Sequence, residues 1–213
     1  MALDCATTGY FTASTGAITL TIGTIVGWWK MAQAPSGHTG KDYFDTDTSR
    51  VAIGSAGNNA MQVYTDGRSS VFDITGLWAA GDWVHLAKVY NKTGDVQKLY
   101  VNGVEISPTS QSGTWGTTAH GTSFYMGSSV SGGGINGSVL AEWAAWSVVL
   151  DTTEVVALAK AFSPDQIRPA SLNAYWKLLG NNSPELDSWK NSYSATLVNS
   201  PTKAAHPRIY YPG

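Results

Sequence analysis

Acidic residues are the side chains of this sequence that could carry out hydrolysis. Cleavage of a glycosidic bond uses two carboxyl groups about 5–10 Å apart, one on each side of the bond. Two acid pairs are separated by two positions, Asp45 with Asp47 and Glu185 with Asp187, while Glu142 stands alone among Ala and Trp residues. Both pairs lie in loop-like sequence, where carboxylates are usually solvated or cap turns. The sequence therefore predicts no catalytic residue and no enzyme.

Metal binding is the second chemistry open to acidic residues. Asp42, Asp45 and Asp47 cluster in one stretch, and Ca²⁺ binds clustered oxygen ligands. No EF-hand spacing supports this set, and the four histidines lack the spacing of a zinc site. Calcium on these three aspartates is therefore the one cofactor that the sequence suggests. His85 lies in strand-like sequence, and we expect it to be a hydrogen-bonded core histidine and not a base.

Loop aromatic residues could bind a sugar, because flat aromatic faces stack on sugar rings while nearby polar groups read hydroxyls. The tryptophans with strand periodicity are expected to pack in the core: Trp28, Trp83, Trp143, Trp146 and Trp176. The predicted ligand-binding residues lie in loops instead: Tyr43, Trp78, Trp115, His120 and Trp189. The alternative for each loop tryptophan is a ring that folds over the end of the domain.

Composition restricts the class of protein. Charged residues make up 13% of the 213 residues, about half of the usual ~25%. The net charge is −2 without a basic block, so we expect no nucleic-acid partner. No apolar run is long enough to span a bilayer, no signal peptide is recognisable, and the single Cys5 is expected to be an unreactive free thiol. Low charge with abundant Gly, Trp and Tyr favours an extracellular or virion-surface location.

Residues 81–105 predict the central structural unit, three consecutive antiparallel strands. Trp83, His85, Ala87 and Val89 fall on one face, because side chains alternate along a strand. A polar turn at 91–95 separates this strand from the β-branched and aromatic run 96–101. Asn102 and Gly103 then form a strong hairpin signal, since both tolerate the positive φ of a two-residue turn.

The same run resembles the laminin-G-like family of concanavalin A-like jelly rolls. Its motifs are WVHLAKVY at 83–90 and LYVNG at 99–103, and matching pieces follow in order at 124–127, 135–146 and 150–155. The resemblance covers residues 24–199 and implies an all-β, two-sheet antiparallel jelly-roll sandwich. Many members hold a Ca²⁺ at the sandwich rim. Related glucanases carry a Glu-x-Asp-x-x-Glu pattern, which this sequence lacks.

The C-terminal third predicts one helix and a few late elements. Asp151 and Glu154 form a capping-box pattern, so a short helix is expected near 152–162. Strands are expected at 172–178 and 195–198, and residues 201–213 are interpreted as a tail after a single domain at 1–200. The apolar end of this tail could dock on its own domain or on a neighbouring subunit.

Three functions remain open from the sequence alone. The first is non-catalytic recognition of glycans or proteins by a surface-displayed domain. The second, compatible with the first, is a virion protein of phage-like type, a capsid decoration or tail-attached component that contacts itself or other capsid or tail proteins. The third is a glycoside hydrolase or lyase, which the absence of a convincing acid pair makes the weaker alternative.

Overall fold

Two antiparallel β-sheets, packed face to face, form the framework of the computed structural model. The structure describes residues 2–5, 9–40, 42–46, 51–118, 121–129 and 138–211. The first sheet contains eight strands and the second contains nine.

The first sheet is built from eight strands that come from both halves of the chain. They are β1 (Ala2–Asp4), β3 (Ile22–Lys30), β8 (Trp83–Asn91), β9 (Val96–Val101), β10 (Val104–Ile106), β13 (Val139–Trp146), β14 (Leu172–Trp176) and β17 (Thr202–Ala204). The nine strands of the second sheet are β2 (Tyr10–Ser14), β4 (Asp42–Thr46), β5 (Val51–Gly57), β6 (Ala60–Thr65), β7 (Arg68–Asp73), β11 (Pro108–Ser112), β12 (Ser123–Met126), β15 (Glu185–Leu186) and β16 (Ser194–Val198). The strand order is β10-β9-β8-β3-β13-β1-β17 in the first sheet, where β14 also pairs with β13, and β11-β7-β6-β5-β4-β12-β2-β16-β15 in the second.

The hydrophobic core lies between the two sheets, as alternation of side chains along each strand requires. Trp29, Trp143 and Trp176 are fully buried in it together with Phe44 and Phe124. The predicted all-β sandwich is therefore confirmed. Of the five tryptophans that periodicity assigned to the core, Trp28 and Trp83 are only partly buried.

The central run folds as predicted into β8, β9 and β10, which pair antiparallel in sequence order. Asn102 and Gly103 form the tight turn with φ of +50° and +81°. A Cβ atom on Gly103 would lie 3.1 Å from the Cβ of Ala159 and 3.3 Å from the Cα of Val156. The turn therefore needs glycine for its backbone angle and for its close approach to the helix that contains these two residues.

We expect Gly103→Val to lower the free energy of unfolding by about 2–3 kcal/mol, because a β-branched residue is strained at positive φ and would collide with the helix. Gly81→Val is the matched control, since Gly81 has φ +92° but no atom within 4 Å of its added Cβ. Urea unfolding followed by circular dichroism measures both losses. Equal losses would show that contact with the helix adds nothing at position 103.

Two strands form where the sequence shows no clear two-residue period of apolar side chains. β4 (Asp42–Thr46) and β11 (Pro108–Ser112) both belong to the second sheet. β11 is exposed along its whole length at the edge of that sheet, so no alternation of apolar residues marks it. β4 pairs with β5 across a register shift between Asp42 and Phe44, and this irregularity obscures the two-residue period.

A helical layer covers the outer face of the first sheet. α1 (Thr152–Ala159) begins with the predicted capping box, in which Asp151 accepts from the Glu154 N–H and Glu154 accepts from the Asp151 N–H. Val155 and Leu158 of α1 pack on Tyr100 and Tyr175 of the sheet. Short 3-10 turns at Pro164–Gln166 and Pro169–Ser171 extend this layer.

The described part of the segment that we interpreted as a tail is built into the domain. β17 pairs antiparallel with β1. Further along, the Tyr210 N–H donates to the Ala161 carbonyl at 2.8 Å, and the Tyr210 carbonyl accepts from the Ser163 N–H at 3.2 Å. Residues 201–211 therefore dock on their own domain and cross the helical layer of the first sheet.

Candidate functional site

A pocket lies at the rim of the sandwich. Its volume is about 450 Å³, and it lies beside β14 and β15, where the two sheets end. Its apolar wall consists of Leu179, Pro184 and Leu186. Its polar wall consists of Lys177, Asn181, Asn182, Glu185 and Ser188. We call these eight residues the rim pocket.

Asp187 holds the loop that forms one wall of the rim pocket. Its Oδ1 accepts from the backbone N–H groups of Trp189 at 3.1 Å and Lys190 at 2.8 Å. Its Oδ2 accepts from those of Ser192 at 2.6 Å and Tyr193 at 2.9 Å. The buried carboxylate thus satisfies four N–H groups that would otherwise lack partners, and the loop has a defined shape.

Glu185 binds backbone N–H groups of the pocket lining in the same way. Its two carboxylate oxygens accept from the backbone N–H groups of Leu179 and Gly180, each at 3.2 Å. The sequence analysis treated Glu185 and Asp187 as solvated or turn-capping carboxylates. They do cap backbone, but both are buried, because the N–H groups that they satisfy lie inside the loop.

Glu142 anchors the end of the chain beside the rim pocket. It occupies a β-bulge of β13 with φ +55°, and its buried carboxylate accepts from the hydroxyl groups of Tyr175 and Tyr211. The Nε2 atom of His206 lies 2.9 Å from the same carboxylate. Burial, followed by the charge of Glu142, raises the pKa of both tyrosines, so the two hydroxyls stay protonated and keep donating.

Three exposed aromatic residues lie along the docked end of the chain. Phe162 is 44% exposed, Tyr210 58% and Tyr211 43%, and the rings of Phe162 and Tyr210 are 6.4 Å apart. We call these three residues the aromatic ledge. Lys177 joins it to the rim pocket, because Lys177 lines the pocket and its Nζ lies 4.4 Å from the centroid of the Tyr211 ring.

Two of the predicted ligand-binding aromatics have buried rings, and for Trp78 this is the alternative of a ring that folds onto the domain. Tyr43 lies on β4 and stacks on His38 with a centroid distance of 5.3 Å. Trp78 contacts the other side of this cluster, 6.0 Å from His38, and its indole N–H donates to the Gln33 carbonyl at 2.9 Å. Both rings are buried, and neither presents a face to a sugar.

Trp115 and Trp189 are partly exposed, but they do not meet. The Trp115 indole N–H donates to Asp95 at 2.7 Å, beside β7 and β9. Trp189 directly follows Ser188 of the rim pocket, beside β14 and β15. The strand orders place these two regions at opposite edges of the sandwich. Only Trp189 therefore belongs to the neighbourhood of the pocket, and His120 lies outside the described residues.

The predicted calcium ligands are only partly described. Asp45 is buried on β4, whereas the side chain of Asp42 and the whole of Asp47 lie outside the described residues. Within the ranges that the structure describes, no group of three or more His, Cys, Asp or Glu side chains is arranged to hold a metal ion. Calcium binding by Asp42, Asp45 and Asp47 stays a prediction.

The outer face of the second sheet carries a row of polar and aromatic side chains. The strand register places Thr12, Tyr125 and Asp45 in one row across β2, β12 and β4. The ring of Tyr10 lies 6.1 Å from that of Tyr125. This face is an alternative location at which a sugar ring could stack.

Sequence reasoning missed the residues that line the rim pocket and the aromatic ledge. The run LGNNSPELDSWKNS at 179–192 is rich in Asn, Ser, Pro and Gly, a composition typical of loops that carry binding residues. The apolar end at 209–211 was noted as able to dock. Neither signal shows that the two stretches meet at Lys177.

Fold and site together define a class: an antiparallel β-sandwich with a polar pocket at its rim and exposed aromatic rings beside it. The family model of the concanavalin A-like lectin/glucanase superfamily matches residues 6–156. The chain belongs to this superfamily. No helix in the described part of the chain has the length and apolar character needed to cross a bilayer.

Two solved structures illustrate the similarity. One is a Bacteroides ovatus protein with a provisional designation as a carbohydrate binding protein, at TM-score 0.73 and 16% identity, with 98% of this chain and 61% of that chain covered. The other is the heptameric SAP-like pentraxin of Limulus polyphemus, at TM-score 0.56 and 13% identity, with 89% of each chain covered. This chain thus spans about three-fifths of the Bacteroides protein. No curated protein sequence matches it.

Proposed function

We propose that this chain is a non-catalytic carbohydrate-binding domain that holds a glycan in the rim pocket and against the aromatic ledge. The observation that carries the proposal is the position of Lys177, which joins a pocket of about 450 Å³ to exposed aromatic rings. Sugar sites combine aromatic faces with a few fixed polar groups. Asn181, Asn182 and Ser188 supply such groups on a loop that buried carboxylates hold in place.

The absence of catalysis is part of the proposal, since the superfamily contains glucanases as well as lectins. Glu185 and Asp187 are occupied by backbone N–H groups. Glu142 is buried beneath the end of the chain and accepts two tyrosine hydroxyls. None of these three acids is free to protonate a glycosidic oxygen or to activate water. Display outside a cell or on a virion fits the low charge, but the comparisons give the virion role no support.

We expect Tyr210→Ala to weaken glycan binding about fivefold to tenfold, because an aromatic contact contributes on the order of 1 kcal/mol. A glycan array with labelled protein finds the ligand, and calorimetry measures the change in affinity. Val104→Ala is the matched control, since Val104 is also an exposed apolar residue but lies on β10 at the far edge of the first sheet. A reducing-sugar assay on each bound polysaccharide is expected to show no turnover.

Two outcomes would contradict parts of this proposal. If Tyr125→Ala abolishes binding while Tyr210→Ala does not, the glycan binds the outer face of the second sheet. If a polysaccharide is cleaved and Glu142→Gln stops the cleavage, the domain is an enzyme. An array without any bound glycan, on protein that melts cooperatively, would reject carbohydrate binding.

A further inference from the structure

We infer that the end of the chain is a pH-dependent latch, which is closed while the Glu142–His206 pair holds an extra proton and opens as the pH rises. We call residues 205–211 the C-terminal latch. Its docking does not depend on a bound glycan. Only the consequence for the aromatic ledge rests on the proposed function.

Both ring nitrogens of His206 face groups that can only accept a hydrogen bond. The Nδ1 atom lies 2.7 Å from the carbonyl oxygen of Pro207. The Nε2 atom lies 2.9 Å from the Glu142 carboxylate and 3.4 Å from the Lys177 carbonyl oxygen. A neutral imidazole has one N–H group, and only the imidazolium ion donates from both nitrogens. A neutral His206 beside a carboxylate would therefore leave two acceptors facing each other at one of these contacts.

The same proton count holds if Glu142 carries the proton. Its O–H group then donates to Nε2, while the Nδ1–H group of His206 donates to Pro207. In either form the closed latch holds one proton more than a carboxylate beside a neutral imidazole. The side chains of Glu142 and His206 are only 1% and 13% exposed, and a buried polar contact that loses its donor is costly.

The uncharged groups that face the pair do not change protonation between pH 5.5 and pH 8.5. The hydroxyls of Tyr175 and Tyr211 donate to Glu142, and their raised pKa values keep them protonated. The ring of His85 lines the gap beside Glu142, and burial lowers its pKa to about 3, so it stays neutral. The proton that leaves in this range therefore comes from the Glu142–His206 pair.

Three further charged groups surround the latch. The Lys177 ammonium lies 4.4 Å from the ring centroid of Tyr211. The charge of Asp165 acts on the same tyrosine from the helical layer. Arg208, on the latch itself, is exposed. None of these three side chains forms an ion pair with Glu142 or His206 among the described residues, so they do not supply the missing donor.

The direction of the pH effect follows from the proton count. The closed latch binds more protons than the open one, so a rise in pH favours the open state. Histidine ordinarily titrates near pH 6.5, which places the effect around neutral pH. Opening withdraws Tyr210 and Tyr211 from Phe162 and Lys177. On the proposed function, glycan affinity then falls as the pH rises.

Amide hydrogen exchange of the full chain tests the latch without a ligand. The Tyr210 N–H group donates to the Ala161 carbonyl only when the latch is docked. We expect its protection factor, corrected for the intrinsic rate at each pH, to fall about tenfold from pH 5.5 to pH 8.5, the size of one charge-assisted hydrogen bond. Amides of β8 report global unfolding and are expected not to follow this trend.

Two variants locate the effect. His206→Gln is expected to lower the protection of Tyr210 about tenfold at pH 5.5 and to abolish its pH dependence, because glutamine does not titrate. Tyr211→Phe is the matched control, since it removes a hydroxyl that donates to the same carboxylate at 2.6 Å but does not titrate in this range. It is expected to lower the protection by a similar factor at every pH and to keep the wild-type slope.

The outcomes separate the latch from the proposed function. Protection of Tyr210 that is constant with pH, or a pH dependence that His206→Gln retains, would overturn the latch. An equal fall at the amides of β8 would assign the effect to global unfolding and would also overturn it. An array without any bound glycan would reject carbohydrate binding and leave the latch intact.

Discussion

Trp143→Ala is expected to lower the free energy of unfolding by about 3–5 kcal/mol, the range for loss of a large core aromatic. Trp143 lies on β13, fully buried between the sheets. Its ring stacks on Phe124 at a centroid distance of 4.8 Å and contacts Trp176 at 5.5 Å. Alanine would leave a cavity that rings from both sheets cannot fill, because strand hydrogen bonds hold their backbones in place.

Trp83→Ala is the matched control for this prediction. In the sequence, Trp83 and Trp143 both lie in strand-like runs, and both are expected to pack in the core. The structure places Trp83 at the first position of β8, where it is only partly buried, so we expect a loss of about 1–2 kcal/mol. Guanidinium unfolding, followed by fluorescence and circular dichroism, measures both. Equal losses would mean that the core does not centre on Trp143.

His85 is expected to make the domain less stable in acid. It is fully buried, and burial lowers its pKa from 6.5 to about 3. Neither ring nitrogen has a hydrogen-bond partner among the described residues, so the expectation of a hydrogen-bonded core histidine is wrong. The gap beside the ring, lined by Trp28, Glu142 and Leu158, has no room for a water molecule.

The sign of the effect follows from proton uptake. Between pH 6.5 and pH 3 the unfolded chain protonates His85 and the folded chain does not, so the free energy of unfolding falls as the pH falls. At pH 4 this loss amounts to about 3 kcal/mol. His85→Leu removes the titrating group and two unsatisfied nitrogen atoms.

We therefore expect His85→Leu to be about as stable as the wild type at pH 7 or slightly more stable, and clearly more stable at pH 4. Urea unfolding at both pH values measures the free energy of unfolding of each protein. Subtracting the wild-type value from that of the variant removes the contribution of the carboxylates, which both proteins share. A difference that does not change with pH would show that the folded protein protonates His85 near its usual pKa or provides it with a partner.

Local chemistry decided the parts of the fold that the sequence predicted well. Asn102 and Gly103 specify their turn through their own φ preferences, and Asp151 and Glu154 cap α1 through neighbouring N–H groups. The alternation around Val84 and Leu86 marks a strand with a buried face. Each of these signals involves residues only a few positions apart. The family resemblance then supplied the two-sheet jelly-roll architecture.

The tertiary structure alone decided which side chains are buried, paired or free. Lys88 reads as a surface residue, but it is fully buried and its ammonium donates to the Tyr64 carbonyl at 2.6 Å. Tyr43 and Trp78 occur in loop-like sequence and end in the core around His38. In each case the deciding partner lies on another strand or loop.

The candidate site also combines features that the sequence determined with features that only the tertiary structure decided. The sequence by itself determined a β-sandwich of lectin and glucanase type, the central hairpins and the capped helix, because those features depend on neighbouring residues and on a known order of motifs. The site required Lys177 directly after β14, Glu185 of β15 and Tyr211 of the docked segment to come together. Only the folded backbone brings such distant positions into contact.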